Sequence, residues 1–417
     1  ERAKLLTLYY FETSQTDNLV IIGRVSENDL IILYNTCSLY ICPSFHEGFG
    51  LPPLEAMACG APVIGSNCSA IPEVIGREDA LFDPANPTNI KNKIEQVLLD
   101  PSFQSSLKEH AKKHAKRFSW DACAQRMFRF WEQIYSQHTQ TNLTVQLTNP
   151  IGGLPRLALI TPMPPEHTGI ADYSSELIPY LCRYYDITLI VDQEIVHDLW
   201  AQSSAPIENI AWFEKNASLF ERIVYQVGNS PFHKHMFALL QHFPGIVVLH
   251  DFFLSSVQHW MEHTGWKPHA MAQALYDTHG FYALVELQKH GIDYVKLQYP
   301  CNGDVLTAAT GLIVHSEYAE SRIVNWADNI GLAIRKIPQL RLTPSISANG
   351  RSKARKSLDL LEEDFLVISI GMIYPTKLNH LLLEAWLSST LVADPRCHLV
   401  FVGELPGGDY SDKLAQL

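Results

Sequence analysis

Short apolar runs alternate with amphipathic stretches along most of the chain. In the first third, four apolar runs have the length of buried strands: NLVIIG from Asn18, SLYICPS from Ser38, APVIGS from Ala61 and ALFDP from Ala80. Between and after them lie stretches with helical spacing, namely ENDLIILYNTC, PPLEAMACG and TNIKNKIEQVLLD. Strands that alternate with helices in this way indicate a parallel sheet with helices on both faces.

The pattern is interrupted once and then resumes. A polar segment that contains proline and glycine, residues 137–154, is interpreted as a linker. After it, a second set of buried strands is predicted at RLALITP, DITLIV, RIVYQVGN, GIVVLHD and TGLIVHS. A third set begins with DFLVISIG and continues through the helix LNHLLLEAWLSS to the strand CHLVFVGE. The basic run from Arg351 to Leu360 is interpreted as a solvated helix face.

Composition narrows the classes of function. The chain has 417 residues, 47% of them hydrophobic, and a formal net charge of −12. That charge argues against general binding to nucleic acids, which favours a basic face. The eight cysteines form no CxxC pair and several lie in apolar runs, which indicates reduced core thiols and a cytoplasmic protein. No apolar run is long enough to span a bilayer, while peripheral contact with the inner face of a membrane is left open.

The stretch SFHEGFGLPPLEAMACG, from Ser44 to Gly60, combines a tight turn with two carboxylates. Gly48 and Gly50 allow backbone conformations and close approaches that side chains forbid, and a proline suits the first turn of the helix that follows. Gly60 is expected to end this helix in a left-handed conformation. The turn therefore predicts free backbone N–H groups at a helix N-terminus, which is an anion site suited to phosphate.

Glu47 and Glu55 each have a structural and a functional interpretation. Glu55 would offset the helix dipole from the first helical turn, and Glu47 would cap the loop. Beside the glycines, however, two carboxylates suit the paired hydroxyls of a sugar as hydrogen-bond acceptors. Carboxylates next to free backbone amides thus match a ligand with both hydroxyls and phosphate, such as a nucleotide sugar.

The segment from Asp17 to Ile75 resembles, almost position by position, the C-terminal domain of retaining GT-B glycosyltransferases of family 4, the group 1 type. The two glutamates of that family, separated by seven residues, are matched by Glu47 and Glu55. The resemblance implies that Glu47 contacts the donor sugar and that Glu55 holds the nucleotide ribose. It also implies that the backbone of one turn holds the sugar and phosphate, the turn of Gly48, Phe49, Gly50 and Leu51.

The region after residue 155 is similar to the N-terminal domain of the same family, through TPMPPEHTGIADYSSELIPYL and the strand end VVLHDFF. The resemblance implies that Gly169 lies in a loop close to the donor phosphate and the acceptor, and that His250 lies close to the donor sugar. A polar residue at a strand end is an equally weighted interpretation of His250. Further matches at strand ends are His315, Ser316 and Glu317, with Asn229 and His233 as weaker candidates for the pocket edge.

The stretch ISIGMIYPTKLNHLLLEAW, from Ile368, resembles the first strand and helix of the family's C-terminal domain. The family usually has an arginine and a lysine in this loop that grip the diphosphate. Lys377 matches the lysine, whereas Met372 stands at the arginine position, so a grip by two cations is left open.

The order of the regions predicts the domain organisation. Residues 1–136 resemble the later part of a GT-B C-terminal, donor-binding domain, and residues 155–345 resemble a whole acceptor-side N-terminal domain. Residues 346–417 resemble the early part of a second C-terminal domain. The simplest interpretation is a fragment of a tandem protein with two glycosyltransferase modules. We also hypothesise that the first and last regions dock and rebuild one domain, with Lys377 facing the two glutamates.

Together these features predict an α/β protein of GT-B type with Rossmann-like, doubly wound parallel sheets. The expected function is a retaining glycosyltransferase that moves a hexose, with mannose from GDP-mannose favoured, to a glycan or lipid-linked glycan acceptor in surface polysaccharide synthesis. Glu47, His250 and Lys377 are the expected catalytic residues, with no metal and no cofactor besides the nucleotide sugar. A non-catalytic fragment that binds nucleotide sugar or glycan is the alternative, and a phosphorylase is a weaker third interpretation.

Overall fold

The computed structural model describes residues 19–139, 153–327, 331–340, 350–357, 360–405 and 407–417. Most of the predicted linker lies outside these ranges. The chain divides into two compact units: unit 1 contains the residues up to Arg117 and those from Arg341, and unit 2 runs from Phe118 to Leu340.

Thirteen strands lie within the described ranges. They are β1 Leu19–Ile22, β2 Leu39–Cys42, β3 Val63–Ser66, β4 Leu81–Phe82, β5 Arg156–Ile160, β6 Asp186–Val191, β7 Ile207–Asn209, β8 Arg222–Val227, β9 Ile246–Leu249, β10 Gly311–Val314, β11 Ile334–Lys336, β12 Phe365–Ile370 and β13 Cys397–Val402.

The α-helices of the same ranges are α1 Glu27–Thr36, α2 Leu51–Ala58, α3 Ile71–Ile75, α4 Pro87–Leu99, α5 Pro101–Ala115, α6 Trp120–Thr139, α7 Gly169–Leu181, α8 Leu199–Ser204, α9 Ile210–Asn216, α10 Met236–His242, α11 Ser255–His263, α12 Ala270–His279, α13 Phe281–His290, α14 Ile292–Gln298, α15 Gly303–Ala308, α16 Glu317–Ala327, α17 Gly350–Ser357, α18 Asn379–Leu387 and α19 Asp409–Ala415.

Unit 1 is built on a parallel sheet of six strands in the order β1-β13-β12-β2-β3-β4. Successive strand residues point to opposite faces of a sheet, and every residue of β2 and β3 is buried, so both faces of the sheet are covered. If β12, β13 and β1 are numbered 1 to 3 and β2, β3 and β4 are numbered 4 to 6, the order across the sheet is 3-2-1-4-5-6. This is a doubly wound arrangement. The predicted fold class is therefore confirmed for this unit.

Strands from the first and last regions of the sequence share this sheet. The backbone of β2 pairs with that of β12 at Leu39 and Val367, and β1 pairs with β13 at Leu19 and Leu399. Side chains of both regions also lie in one hydrophobic core. The hypothesis that the two regions dock into one domain is thus what the structure shows.

The interpretation of the basic run from Arg351 to Leu360 as a solvated helix face was wrong at Arg355. The first part of the run lies in α17, in which Arg351 and Lys356 are exposed but Arg355 is only 2% exposed. The Arg355 guanidinium donates to the carbonyl of Thr36 (3.0 Å), the last residue of α1, and to the carbonyls of Leu361 and Asp364. The last carbonyls of a helix lack intrahelical partners and carry partial negative charge, so a buried guanidinium satisfies them.

Unit 2 is built on a parallel sheet of seven strands in the order β11-β10-β9-β8-β5-β6-β7, which is also doubly wound. Helix α6 packs in this unit, where Glu132 accepts two bonds from the guanidinium of Arg222 (2.9 and 2.7 Å) and one from Tyr185 (2.8 Å). The first predicted region, residues 1–136, therefore divides between the two units after Arg117.

The helices α11 to α15 connect β9 to β10 and enclose a small core of their own. Its buried members are Met271, Ala274, Leu275, Ala283, Val295 and Cys301. Within the described part of the chain, no helix has both the length and the apolar character needed to cross a bilayer.

Candidate functional site

The strand order of unit 1 reverses between β12 and β2, and a narrow cleft lies where these neighbouring strands end. In doubly wound sheets, ligands bind at this switch point, outside the carboxyl ends of the strands. Residues from both regions of the sequence line the cleft, among them Pro43, Ser44, Ser369, Gly371, Met372, Lys377 and Asn379.

The turn after β2 has the geometry that its glycines and prolines predict. Gly50 has φ 104°, and a Cβ atom at this position would lie 2.9 Å from Cδ1 of Ile71, so a side chain would be both strained and crowded. Helix α2 begins at Leu51 with Pro52 in its first turn. Gly60, with φ 78°, follows the end of the helix. The predicted start and stop of this helix are confirmed.

Of the other turn residues, Phe49 is only 3% exposed and Gly48 is half-buried. Because the Phe49 ring is packed inside the unit, a ligand at this turn would meet backbone atoms of the residues that precede α2. That the turn binds a ligand through its backbone stays a prediction.

Glu47 and Lys377 form an ion pair at the switch point, with side chains that are 15% and 27% exposed. The Glu47 N–H donates to Oγ of Ser69 (2.9 Å), and that hydroxyl donates back to the Glu47 carbonyl (3.0 Å). The N–H of Phe45 donates to the carbonyl of Thr376 (2.9 Å), which ties the loop after β2 to the loop after β12. The hypothesis that Lys377 faces the two glutamates is confirmed for Glu47.

Glu55 lies in the second turn of α2, because the helix begins at Leu51. The interpretation that placed its charge in the first turn is therefore wrong. The hydroxyl of Tyr34 donates to Oε2 of Glu55 (2.9 Å). Burial, with a further contribution from Glu55, raises the pKa of the Tyr34 phenol well above its ordinary value and keeps it a neutral donor. This hydrogen bond fixes the orientation of the Glu55 carboxylate.

Two residues at the start of α18 have unusual environments. Oδ1 of Asn379 is buried and has no hydrogen-bond partner among the described residues, a situation that costs about 1–3 kcal/mol unless a ligand supplies the partner. Leu378 has φ 52°, a left-handed backbone conformation that is uncommon for such a side chain and recurs at functional loops. Both residues follow Lys377 directly.

In unit 2, Gly169 is the exposed first residue of α7. A Cβ atom at this position would meet nothing within 4 Å, and the neighbouring Thr168 caps the helix by accepting from the N–H of Ile170 (3.3 Å). The N-terminus of a helix attracts anions. The contact of Gly169 with a donor phosphate or an acceptor stays a prediction.

His250 directly follows β9 and lies in a buried polar cluster. Its Nε2 is 2.7 Å from Oε1 of Gln226, and its Nδ1 is 3.1 Å from Nε2 of His315. Nδ1 of His315 is 2.7 Å from the carbonyl of Ile337, so this nitrogen carries a proton. Burial lowers the pKa of His315 to about 4 and that of His250 well below its ordinary value, which leaves both rings neutral at pH 7.

The hydrogen bonds of this cluster have one consistent direction. A neutral His315 accepts at Nε2, so His250 donates from Nδ1 and accepts at Nε2. The donor to Nε2 of His250 is then the side-chain amide of Gln226, with the positions of its oxygen and nitrogen exchanged. The exchange also gives a partner to Nε2 of Gln226, which otherwise is buried without one in the described chain. In the opposite tautomer, Nδ1 of His250 would accept from Gln339 (3.3 Å) but face the bare Nε2 of His315. The contact of His250 with a donor sugar stays a prediction.

The remaining strand-end residues are engaged within unit 2. His233 is fully buried, and burial lowers its pKa to about 3. Asn229 is hydrogen-bonded through its backbone N–H and its side-chain oxygen. Ser316 caps α16, and Glu317 forms an ion pair with Lys336. Their contact with a ligand also stays a prediction.

The predicted site residues thus fall into two groups. Unit 1 brings Glu47 and Lys377 together beside the start of α2, with Glu55 one turn along the same helix. Unit 2 contains Gly169 and His250. The sequence-based prediction missed three residues that hold or line the site of unit 1: Tyr34, Ser69 and Asn379. Within the described ranges, no group of three His, Cys, Asp or Glu side chains is placed to hold a metal ion.

Comparisons with known proteins identify the first region of the chain. Residues 6–114 match the family model "Glycosyl transferases group 1". Serotype-specific mannosyltransferase WbdA of Escherichia coli is 51% identical over 102 residues, which is 24% of this chain and 12% of WbdA. O-antigen chain mannosyltransferase B of Escherichia coli is 42% identical over 102 residues, 24% of this chain and 27% of the relative. A D-inositol 3-phosphate glycosyltransferase of Corynebacterium jeikeium is 31% identical over 108 residues, 25% of this chain and 26% of the relative.

The chain therefore spans between 12% and 27% of the length of these three relatives. The family match contains strands β1 to β4, the turn after β2, and both Glu47 and Glu55. About a quarter of this chain, residues 6–114, is thus a segment of a group 1 glycosyltransferase domain, with mannosyltransferases among its relatives.

Proposed function

We propose that this protein transfers a mannosyl group from GDP-mannose to a glycan or lipid-linked glycan, with retention of the anomeric configuration. The observation that carries the proposal is the meeting of Lys377 and Glu47 at the switch point of unit 1, beside the start of α2. A cation, a carboxylate and the backbone N–H groups of the turn from Gly48 to Leu51 match the diphosphate and hydroxyls of a nucleotide sugar. Mannose is chosen because two similar proteins are named mannosyltransferases.

Donor binding in this proposal begins with an exchange of partners. The diphosphate replaces Glu47 as the partner of the Lys377 ammonium, and the released carboxylate accepts hydrogen bonds from the sugar hydroxyls. The amide of Asn379 gains its missing partner from the donor, since either its oxygen or its nitrogen can face the cleft. Met372, which is 56% exposed, supplies no second cation, so Lys377 and the backbone N–H groups of Gly48 to Leu51 stabilise the diphosphate. Glu55, oriented by Tyr34, accepts from the ribose hydroxyls.

The transfer step breaks the bond between C1 of the donor sugar and its phosphate oxygen, and it forms a bond between C1 and an acceptor hydroxyl oxygen. The electron pair of the broken bond stays on the phosphate oxygen, where Lys377 and the backbone N–H groups of Gly48 to Leu51 stabilise the developing charge. The acceptor proton passes to that phosphate oxygen on the same face of the sugar. No step uses a metal ion.

For unit 2 the proposal retains the roles that the family resemblance implies. Gly169 approaches the donor phosphate and the acceptor, and His250 orients the donor sugar. His250 would act as a neutral group, because burial lowers its pKa, and it would exchange its bond with Gln226 or His315 for one with the sugar. The reaction is assigned to the cytoplasm, next to a lipid-linked acceptor at the inner face of the membrane, which the eight free cysteine side chains support.

The alternative function is binding of the nucleotide sugar without turnover. The pairing of Lys377 with Glu47 and the methionine at position 372 favour it, because both reduce the charge available to a diphosphate. Titration with GDP and turnover of GDP-mannose separate the two functions. The binding module would be supported if the protein binds GDP but neither hydrolyses GDP-mannose nor transfers its mannose to manno-oligosaccharide acceptors.

The experiment compares the full chain with its Glu47→Gln variant in GDP release from GDP-mannose. We expect the variant to lose about 10²-fold or more in kcat, because the carboxylate is a positioned polar group at the reacting sugar. Glu109→Gln, an exposed glutamate on α5, is the matched control and is expected to keep the original rate. Equal rates in all three proteins would overturn the role of Glu47.

A further inference from the structure

Helices α12 to α14 carry an exposed group of aromatic side chains that includes none of the predicted site residues. Tyr282 is 65% exposed and Tyr294 is 40% exposed, and the side chain of His290 is 49% exposed. Large exposed aromatic groups of this kind mark interaction surfaces more often than scattered single residues do. We call the set the aromatic surface: His279, Tyr282, Glu286, His290, Tyr294 and Tyr299.

The members of the aromatic surface lie side by side. Tyr282, Glu286 and His290 follow one another at intervals of four residues on α13, which places them on one face of the helix. The ring of Tyr294, on α14, lies 4.6 Å from that of His290. The rings of His279 and Tyr299 are 5.1 Å apart at the ends of α12 and α14. Burial raises the pKa of Tyr299, and the nearby Glu286 and Tyr282 raise it further.

A buried carboxylate forms the floor of this surface. The Glu286 side chain is only 9% exposed, and its Oε2 lies 3.7 Å from Nε2 of His290. Its charge, together with a hydrogen bond between the two side chains, raises the pKa of the neighbouring Tyr282 phenol. No Lys or Arg of the described chain forms an ion pair with Glu286, although buried carboxylates usually have such a partner. Beyond its contacts with Tyr282 and His290, the carboxylate has further lone pairs that can accept hydrogen bonds from a polar ligand.

We propose that the aromatic surface binds the sugar units of a neutral glycan chain, the acceptor of the transfer reaction, and this inference rests on the proposed function. Flat rings pack against the C–H faces of sugars, while phenol and imidazole groups exchange hydrogen bonds with sugar hydroxyls. The Glu286 carboxylate accepts from a further hydroxyl. Donors and acceptors are both present, which matches hydroxyl groups, since each hydroxyl donates and accepts.

The surrounding charges favour this ligand over two others. Lys296 is paired with Asp293 (3.0 Å), and only Lys289 adds a positive charge on α13, so the surface lacks the basic cluster that an anionic membrane requires. A quaternary ammonium would contact the rings and the carboxylate, but it would accept no hydrogen bond from the phenol and imidazole groups. A glycan uses all of these groups.

The test is calorimetric titration of the full chain with α-linked mannotetraose. We expect binding that Tyr282→Ala and Glu286→Gln each weaken by about tenfold or more, because both residues lie at the centre of the contact. Tyr282→Phe, which keeps the ring, is expected to weaken binding less than Tyr282→Ala. Trp266→Ala is the control, since Trp266 is 54% exposed but precedes α12, whose other end carries His279.

Titration with GDP keeps this test separate from the proposed function. GDP affinity is expected to be the same in all these variants, because Lys377 and Glu47 lie in unit 1. Equal affinity of the original protein and the variants for mannotetraose would overturn the inference, as would binding of tetramethylammonium but not of mannotetraose. If the original protein binds mannotetraose but does not bind GDP, only the proposed donor site would be overturned.

Discussion

The ammonium group of Lys377 forms an ion pair with the carboxylate of Glu47, although the two lie 330 positions apart in the sequence. The pair joins the loop after β12 to the loop after β2, where the strand order of unit 1 reverses. Both residues are proposed to act on one bound donor. Residues that act as a unit do not lose activity additively when they are replaced.

Replacement of Lys377 tests this coupling. Lys377→Met is expected to lower kcat for GDP-mannose turnover by about 10²–10³-fold, because it removes a positive charge at the departing diphosphate. The double variant Glu47→Gln/Lys377→Met is expected to lose little more than the worse single variant. Lys113→Met, an exposed lysine on α5, serves as the control for steady-state rates. A double variant whose loss equals the product of the single losses would show that the residues act independently.

Gly50 is expected to tolerate no side chain. Gly50→Ala should lower the free energy of unfolding of unit 1 by about 1–3 kcal/mol, since φ is 104° and the new Cβ would press on Ile71. Urea unfolding measures the change. Gly23→Ala, at a position where a Cβ meets nothing within 4 Å, is expected to change the stability by much less. A neutral Gly50→Ala would mean that the turn has room for another conformation.

Arg355 is expected to stabilise unit 1 through the end of α1. Arg355→Met should lower the free energy of unfolding by about 2–4 kcal/mol, because it leaves the carbonyls of Thr36, Leu361 and Asp364 without this donor. Lys356→Met, at an exposed position of the same helix, controls for the loss of one positive charge. Equal urea midpoints for the two variants would show that Arg355 contributes no more to stability than an exposed lysine of the same helix.

The buried histidines of unit 2 predict that stability falls as the pH falls below 6.5. Burial lowers the pKa of His315 to about 4, so between pH 6.5 and 4 the unfolded chain binds a proton there and the folded chain does not. The free energy of unfolding therefore decreases by about 1.4 kcal/mol per pH unit for each such histidine, and the full stability is present above pH 6.5. His233, with its pKa lowered to about 3, contributes with the same sign.

The slope of stability against pH isolates His315 from other groups. Urea unfolding between pH 5 and pH 6 is expected to show a slope that is smaller by about one proton in His315→Gln than in the original protein. The slope is informative even if the variant is less stable at every pH. An unchanged slope would show that His315 is protonated in the folded state.

The local pattern of the sequence was enough to predict the strands and the turn. Buried runs such as SLYICPS become strands because their Val, Ile, Leu and Tyr side chains suit a pleated surface covered on both sides. The glycines and prolines around Gly50 define a helix start through backbone conformation alone. The docking of the first and last regions was also predictable, because each region lacked strands that the other contains.

Other features depended on contacts that a sequence pattern does not encode. Helix α6 has a clear apolar face, but the pattern does not show which core covers it, and the helix packs in unit 2 through Glu132 and Arg222. The sequence of α17 does not show whether its basic residues are surrounded by water or by the carbonyls of α1. Ser69 and Asn379 carry no charge and occupy no glycine-rich turn, so only the sheet order reveals that they lie at the site.

The strand order of unit 1 has a consequence for synthesis on the ribosome. Strand β12, the neighbour of β2, is made roughly 280 residues after β4, which takes on the order of 15–60 s at ordinary elongation rates. All strands of unit 2 emerge during that interval and can pair with one another. The first four strands meanwhile wait with an open, apolar edge at β2, which is a template for pairing with another chain. For the residues that the structure describes, the edge of β2 is therefore open to pairing with another chain from the synthesis of β4 until β12 has left the ribosome.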